Sequence, residues 1–333
     1  MRVQSKTLVR EDNLSAERFA RTYLRAHRPV VISGAASHWP AVRLWSYAYL
    51  AKLAGDHELV VRSAADYDGG LSRRENEESR KLRFADVLRF MTQKVPPPLS
   101  YARETQLLNE VPALSRDISE PPYLPACSPR RLRYLPRDPG PPSPSAWIGP
   151  RGTMAQLHWD PEHNLYVQIR GRKRFLLISP DDADATYPNL YSVESLCRDP
   201  VFRSDHRKLA AKLRAIRSDF GGEDTSPERF RSFLARRLDQ DDVSDLFAFL
   251  LNVNLAHTNV ENPDPYLHPR FRSAEVWRTT LLPGDILFIP FLWRHFVRAL
   301  TPSISVNWFF PPRSRERHVY RRSVKTLLSH LMP

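Results

Sequence analysis

Apolar residues at Phe84, Val87, Leu88 and Met91 fall at i, i+3, i+4 and i+7, the spacing of one helix face. Leu14 to Arg28 carries the same signal through Leu14, Phe19 and Tyr23, and Trp45 to Leu53 also reads as helix. Val30-Val31-Ile32-Ser33 is a short buried strand that Gly34 ends, and Leu59 to Arg62 reads as another. Residues 66–83 are polar and charged and predict a loop, as does the Pro-rich stretch 119–145 with Arg130, Arg131 and Arg133. From Ala146 the pattern becomes β. Leu165 to Ile169 and Phe175 to Ile178 flank Arg170-Gly171-Arg172, a hairpin turn, and Thr279 to Leu282, Ile286 to Ile289 and Ile304 to Phe310 are further strands, with Pro283-Gly284-Asp285 as a turn. Residues 193–252 break this pattern with helices. Leu209, Leu213 and Ile216 share a face, Ser226-Pro227-Glu228 is a helix start, and Phe230, Phe233, Leu234 and Leu238 follow. The reading is a mainly β chain with helices (α+β). An N-terminal α/β segment covers 1–118, a Pro-rich loop 119–145 and a β barrel 146–312. A helical insertion, 193–252, lies on the barrel's outside, and a basic C-terminal helix covers 313–333.

Composition limits the function classes. Hydrophobic residues at 41% and charged residues at 26% suit a globular chain with large buried cores. The longest apolar runs, Leu246 to Leu251 and Ile286 to Pro290, are far too short to span a bilayer. The opening MRVQSKTLVRED has no apolar stretch of the secretory kind. Cys127 and Cys197 are the only cysteines, too few for a disulfide framework. A nuclear and/or cytoplasmic protein, neither secreted nor membrane-bound, is expected. The formal charge of +13 is concentrated at the two ends: residues 313–330 hold Arg313, Arg315, Arg317, Arg321, Arg322 and Lys325 against Glu316, whereas 193–252 is neutral. Such ends draw acidic proteins or nucleic acid without sequence preference, or simply solubilise the chain, and both readings stay open. Nothing in the pattern bears on oligomeric state.

The chemistry is concentrated in His158-Trp159-Asp160. Residues two apart on a strand point to one side, so this His and Asp can ligate one metal. An imidazole from a distant strand would complete a 2-His-1-carboxylate facial triad, the donor set of non-haem Fe(II), which leaves open positions for a 2-oxo acid and O₂. His295 follows the strand Ile286 to Ile289 and is the best candidate. His163 is too close in sequence, and His257 and His268 lie in a Pro- and Asn-rich loop. Alone, His-x-Asp is a weak signal that a core His bonded to a nearby Asp would also give. The continuation H-x-D-x-x-x-N-x-x-x-Q-x-x-G-x-K, from His158 to Lys173, is more specific. Asn164 and Lys173 occupy strand positions able to face the same cavity, where Lys173 offers a point charge for a carboxylate.

This pattern resembles the JmjC oxygenases, and in particular the small JmjC subfamily described as arginyl hydroxylases and also proposed as histone lysine demethylases and peptidases. The phrases that carry the resemblance are Pro29 to Gly34 with His38-Trp39-Pro40, Tyr101-Ala102-Arg103, Trp147-Ile148-Gly149-Pro150, Leu157-His158-x-Asp160-Pro161, Gly284 to Pro290 and His295 to Leu300. The resemblance implies a double-stranded β-helix (jelly-roll, cupin) barrel and a dioxygenase that uses Fe(II) and 2-oxoglutarate to modify a protein or peptide, releasing succinate and CO₂. Its roles would fall on His158, Asp160 and His295 for iron. Tyr101, Lys173, Asn164 and Thr153 would serve 2-oxoglutarate, and Trp147 the substrate entrance, unless Trp147 is a core residue. Two positions depart from the family. Ala155 stands where a Thr or Ser often contacts 2-oxoglutarate, and Arg62 where arginyl-hydroxylating members place a Glu that pairs with the substrate guanidinium. Arg62 at the substrate entrance would favour an anionic or carbonyl-rich substrate, unless it pairs with Asp66 or Glu104 away from the substrate. Glu104 is the nearby acid that could instead serve a cationic one. Hydroxylation, N-methyl-lysine demethylation, RNA modification and a catalytically silent binding scaffold are all compatible with these residues.

Overall fold

A computed structural model of the chain describes residues 5–63, 78–124, 144–188, 191–220, 226–250, 255–256, 258–310, 312, 328 and 331–332. The N-terminal part holds strands β1 (Ser5–Thr7), β2 (Arg10–Asp12), β3 (Val30–Ser33), β4 (Glu58–Ser63), β5 (Ser79–Arg83) and β6 (Leu99–Thr105). Among them lie helices α1 (Ala16–Phe19), α2 (Pro40–Leu44), α3 (Tyr47–Ala54) and α4 (Phe84–Phe90), with α5 (Leu107–Glu110) and α6 (Pro112–Ser115) after β6. The single helix expected over 14–28 is α1 running into a π-turn at Ala20–Leu24, where Arg25 N–H reaches back to the Ala20 carbonyl. Ser46, not Trp45, starts α3, its hydroxyl accepting the Tyr49 amide. The loop expected over 66–83 is corrected at its end. Ser79–Arg83 is an edge strand whose mostly exposed Ser, Arg and Lys side chains leave no apolar period to read.

The barrel continues with β7 (Ser145–Gly149), β8 (Met154–His158), β9 (His163–Arg170) and β10 (Lys173–Ile178). The β9–β10 turn requires Gly171. Its φ is +74°, and an added Cβ would meet the Pro302 carbonyl oxygen at 2.0 Å. A short strand β11 (Tyr191–Ser192) leads into helices α7 (Val193–Arg198), α8 (Pro200–Asp205), α9 (Arg207–Asp219), α10 (Pro227–Ala235) and α11 (Gln240–Leu250). Strands β12 (Val276–Leu281), β13 (Ile286–Ile289), β14 (Arg294–Ala299) and β15 (Ser303–Phe310) close the barrel, and β16 (Leu331–Met332) pairs with β11. The helix expected over 313–333 lies outside the described residues, apart from Leu328 and this short strand, and so does most of the loop 119–145.

Two mixed sheets face each other, five strands in the order β1-β12-β10-β14-β8 and nine in the order β2-β3-β13-β9-β15-β7-β6-β4-β5. This is the jelly-roll α+β arrangement expected. β9 is buried on both faces, and its alternation divides the molecule. Leu165, Val167 and Ile169 join Ile286, Phe288, Ile304 and Val306 in the core under the N-terminal helices. Tyr166 points the other way and meets Ala155, Phe175, Leu177, Leu287, Ile289 and Val297 between the sheets. Each such Leu or Phe contributes about 1.5–3 kcal/mol by leaving water.

The insertion is more than an outer appendage. Its core of Leu196, Phe202, Leu213, Phe230 and Leu246 takes in Trp159, Phe291 and Leu292 from the barrel and Leu328 and Leu331 from the C-terminal part. Among the described residues no helix is long and apolar enough to cross a membrane.

Candidate active site

His158 ends β8, and His295 lies directly opposite it on β14 in the antiparallel register. Their rings are 4.2 Å apart between centroids. Asp160 is past the end of β8, so it reaches the pair from a turn and not by strand alternation. Its Oδ1 is 3.8 Å from His158 Nε2 and its Oδ2 3.4 Å from His295 Nε2. One donor atom from each of the three side chains lies within 4.8 Å of the others. Both imidazoles are held from behind: His158 Nδ1–H donates to the Gln156 carbonyl at 2.7 Å and His295 Nδ1–H to the Trp293 carbonyl at 3.1 Å. That fixes the tautomer and turns both Nε2 lone pairs inward, as metal-binding histidines require. The donor set therefore fits a divalent metal of the Fe(II) type.

The turn Pro290–Trp293 carries His295 and is bound to the other ligand segment. Leu292 N–H donates to the Asp160 carbonyl at 2.8 Å, Phe291 N–H to His163 Nδ1 at 3.1 Å, and Trp293 Nε1–H to the His27 carbonyl at 3.1 Å. Leu292, fully buried, adopts φ +64°, a left-handed conformation that costs a branched residue roughly 1–2 kcal/mol. Its burial with Trp159 in the insertion's core supplies the packing that holds it there. His163 is a core histidine, its ring packed on Phe288 and Phe310. His268 packs edge-on against Tyr187 and is no part of the cluster, and His257 lies outside the described residues.

The triad opens on a cavity of about 290 Å³ lined by Tyr101, Glu104, Trp147, Asn164, Tyr166 and Phe309, among others. Lys173 is buried beside it at 1% exposure, and its Nζ donates to Tyr166 Oη at 2.7 Å. Among the described residues no carboxylate pairs with it. Burial alone pulls its ammonium down from 10.5 to about 7; burial also pushes the Tyr101 phenol up, and burial first and then the neighbouring Tyr101 push the Tyr166 phenol up. A buried cation without a counter-ion fits an anionic ligand group. Asn164 Oδ1 accepts from Asn307 Nδ2 at 3.1 Å, and Asn307 Oδ1 accepts from Trp147 Nε1–H at 2.7 Å, which ties the Trp147 ring to the barrel wall.

Glu104 lines the cavity from a bulge in the β6–β7 pairing, with a left-handed backbone at φ +52°. Glu162 lines it too, its carboxyl raised to about 7 by burial first and then by Asp160 and Glu104. Three expected residues are not among the lining ones, Lys173, which lies behind Tyr166, and Thr153 and Arg62. Thr153 donates its hydroxyl to the Pro150 carbonyl at 3.0 Å within the β7–β8 turn. Arg62 stands opposite Tyr101 on the neighbouring strand. Sequence reasoning missed Tyr166, Glu162, Asn307 and Leu292. For Tyr166 a signal existed, because Asn164, Tyr166 and Gln168 alternate with Leu165, Val167 and Ile169, a polar face on an otherwise buried strand.

A family model described as the cupin-like domain matches residues 16–316. The chain is 27% identical over 301 residues to Lysine-specific demethylase 8 of Xenopus tropicalis, covering 89% of this chain and 51% of that protein. It is 26% identical over 305 residues to Jumonji C domain-containing protein 5 of Drosophila melanogaster, covering 90% and 58%. To the human protein named Bifunctional peptidase and (3S)-lysyl hydroxylase JMJD7 it is 24% identical over 300 residues, covering 88% and 80%. The chain thus spans little more than half the length of the first two relatives.

Proposed function

The chain belongs to the cupin-like domain family, and on that premise we propose that it is an Fe(II)- and 2-oxoglutarate-dependent oxygenase that hydroxylates a side chain of a protein or peptide. One juxtaposition carries this reading: three inward-facing donors, His158, Asp160 and His295, on a cavity behind whose Tyr166 wall lies the buried Lys173, with no carboxylate partner among the described residues. His158, Asp160 and His295 would hold the metal. Once bound, that metal would supply the oxidising chemistry that couples conversion of 2-oxoglutarate and O₂ to succinate and CO₂ with oxygen insertion into a C–H bond. Lys173 would anchor the distal carboxylate, and Tyr101 and Asn164 would flank the cosubstrate. Phe175, Ile289 and Val297 give the cavity dry walls, which strengthen the pairing of Lys173 with an anion.

Glu104 and Glu162 put acid on the wall left to the substrate, and Trp147 and Phe309 add aromatic surface. This combination favours a cationic side chain with an aliphatic stem. Arg62, outside the lining, does not oppose that preference. N-methyl-lysine demethylation would use the same walls, and the names of the Xenopus and human relatives, a lysine-specific demethylase and a lysyl hydroxylase, fit both outcomes. A nuclear or cytoplasmic site of action suits such a substrate.

The test is to incubate purified, Fe(II)-loaded chain with 2-oxoglutarate, O₂ and a pool of lysine- and arginine-containing peptides. Succinate release and peptide products follow by NMR and mass spectrometry. Gain of one oxygen is the expected product, formaldehyde release would indicate demethylation, and succinate formed only with RNA pools would move the substrate class. A metal-loaded chain that never consumes 2-oxoglutarate would leave the binding scaffold.

A further inference from the structure

Lys173 reaches the cavity through a neighbour, not alone. Its Nζ donates to Tyr166 Oη at 2.7 Å. An ammonium at that distance from the oxygen, and 5.4 Å from the ring centroid, lies along the C–O direction and meets the hydroxyl rather than the ring face. To accept this bond the phenol must aim its own proton elsewhere, and the Ser305 hydroxyl on β15 is a neighbour on the same side of the strand pair. Ser305 in turn donates to Gln168 Oε1 at 2.9 Å, and Gln168 Nε2–H donates to the Arg170 carbonyl at 2.7 Å. The four side chains make one polar cluster with two directional links, from ammonium to phenol and from hydroxyl to amide to backbone, and all are buried.

The cluster is dictated by the strands. Tyr166 and Gln168 alternate along β9, Ser305 pairs with Gln168 on β15, and Lys173 opens β10 after the Gly171 turn. Ala155 contributes only a methyl group to this part of the cavity, so the hydroxyls lining it here belong to Tyr101 and Tyr166. These polar groups are buried, where an unmade bond is expensive, so the bond between ammonium and phenol is held in place.

We propose that Tyr166 is a positioning residue that holds the Lys173 ammonium against the cavity so that its remaining protons meet the distal carboxylate of a dicarboxylic 2-oxo acid. The phenol takes one N–H of the ammonium, leaving the other two for the ligand. Tyr166 thereby selects a cosubstrate with a second carboxylate and adds nothing to the binding of the 2-oxo acid end. This rests on the oxygenase reading above, in which the ligand of Lys173 is 2-oxoglutarate.

The experiment is equilibrium binding of 2-oxoglutarate and of pyruvate to the full chain loaded with redox-inert Mn(II), by calorimetry with pyruvate measured in competition. Tyr166→Phe keeps the ring and removes the acceptor. It should weaken 2-oxoglutarate roughly tenfold while pyruvate, which has no distal carboxylate, is unchanged. In a Lys173→Met background, Tyr166→Phe should add almost nothing, because the two act as a unit. Unchanged 2-oxoglutarate binding in Tyr166→Phe would overturn the proposal. So would equal losses for both acids, which is the mark of a merely structural role, or a full additional loss in the Lys173→Met background. A wild-type chain that binds Mn(II) but neither acid would instead remove the oxygenase reading on which the proposal stands.

Discussion

Lys173→Met should make the ligand-free protein more stable while removing its affinity for 2-oxoglutarate. Methionine keeps the length and apolar bulk of the buried stem and deletes the charge. In the folded chain burial lowers the ammonium from 10.5 to about 7, which at 1.36 kcal/mol per tenfold in proton affinity is roughly 5 kcal/mol of destabilisation when the lysine is protonated in the unfolded chain. Loss of the bond to Tyr166 returns roughly 1–2 kcal/mol, so the net gain is about 3 kcal/mol. The sign with pH follows from the folded value lying below the unfolded one. The penalty is complete below about pH 7, shrinks as pH rises toward 10.5, and is absent above it. Urea unfolding of the ligand-free proteins at pH 6 and pH 9 should show the variant ahead at pH 6 by the larger margin. A variant less stable than the wild type at pH 6, or a gap that does not move with pH, would refute the idea that Lys173 is a strained cation awaiting an anion. The opposite signs for stability and binding are what a site built for a ligand predicts.

His158→Ala and Asp160→Ala should each abolish Mn(II) binding with the far-UV circular dichroism spectrum unchanged, and a variant with wild-type metal affinity would remove its residue from the metal site. Glu104→Gln should raise the KM for a lysine or arginine peptide roughly tenfold without changing 2-oxoglutarate affinity, whereas Arg62→Glu should shift the same KM by less than about twofold, and the reverse ranking would restore Arg62 to the substrate entrance. Trp159→Ala should cost roughly 3–5 kcal/mol in urea unfolding and also weaken metal binding, because the ring joins the insertion's core to the turn between two ligands. Intact metal affinity in the folded variant would show that the insertion does not support the site.

What could be read beforehand follows from which signals are local. The barrel strands at 165–169, 175–178, 286–289 and 304–310 were legible because each is an apolar run bounded by turn residues. His158, Asp160 and His295 were legible by residue type, although the geometry behind them differs. Asp160 leaves the strand, and its contact with the histidines is made by a turn tethered to Leu292. β5 was not legible, because an exposed edge strand needs no apolar face. The burial of Trp159 against helices that begin at Val193 is a long-range contact, and nothing in the residues around Trp159 announces it.

β9 is the instructive case, since its information was present and unused. A strand reading Asn164-Leu165-Tyr166-Val167-Gln168-Ile169 with both faces buried must place a polar face somewhere dry, where every group needs a partner. The fold meets that demand residue by residue: Asn164 with Asn307, Tyr166 with Lys173, Gln168 with Ser305 and the Arg170 carbonyl. Both asparagine and serine partners come from β15, so the register of one strand pair positions the groups along the cavity wall and, through Tyr166, the cation beside it. A slip of one residue in that pairing would turn Tyr166 out of the cavity and Leu165 into it. The polar alternation of β9 therefore shapes the cavity wall as directly as the two histidines shape the candidate metal site.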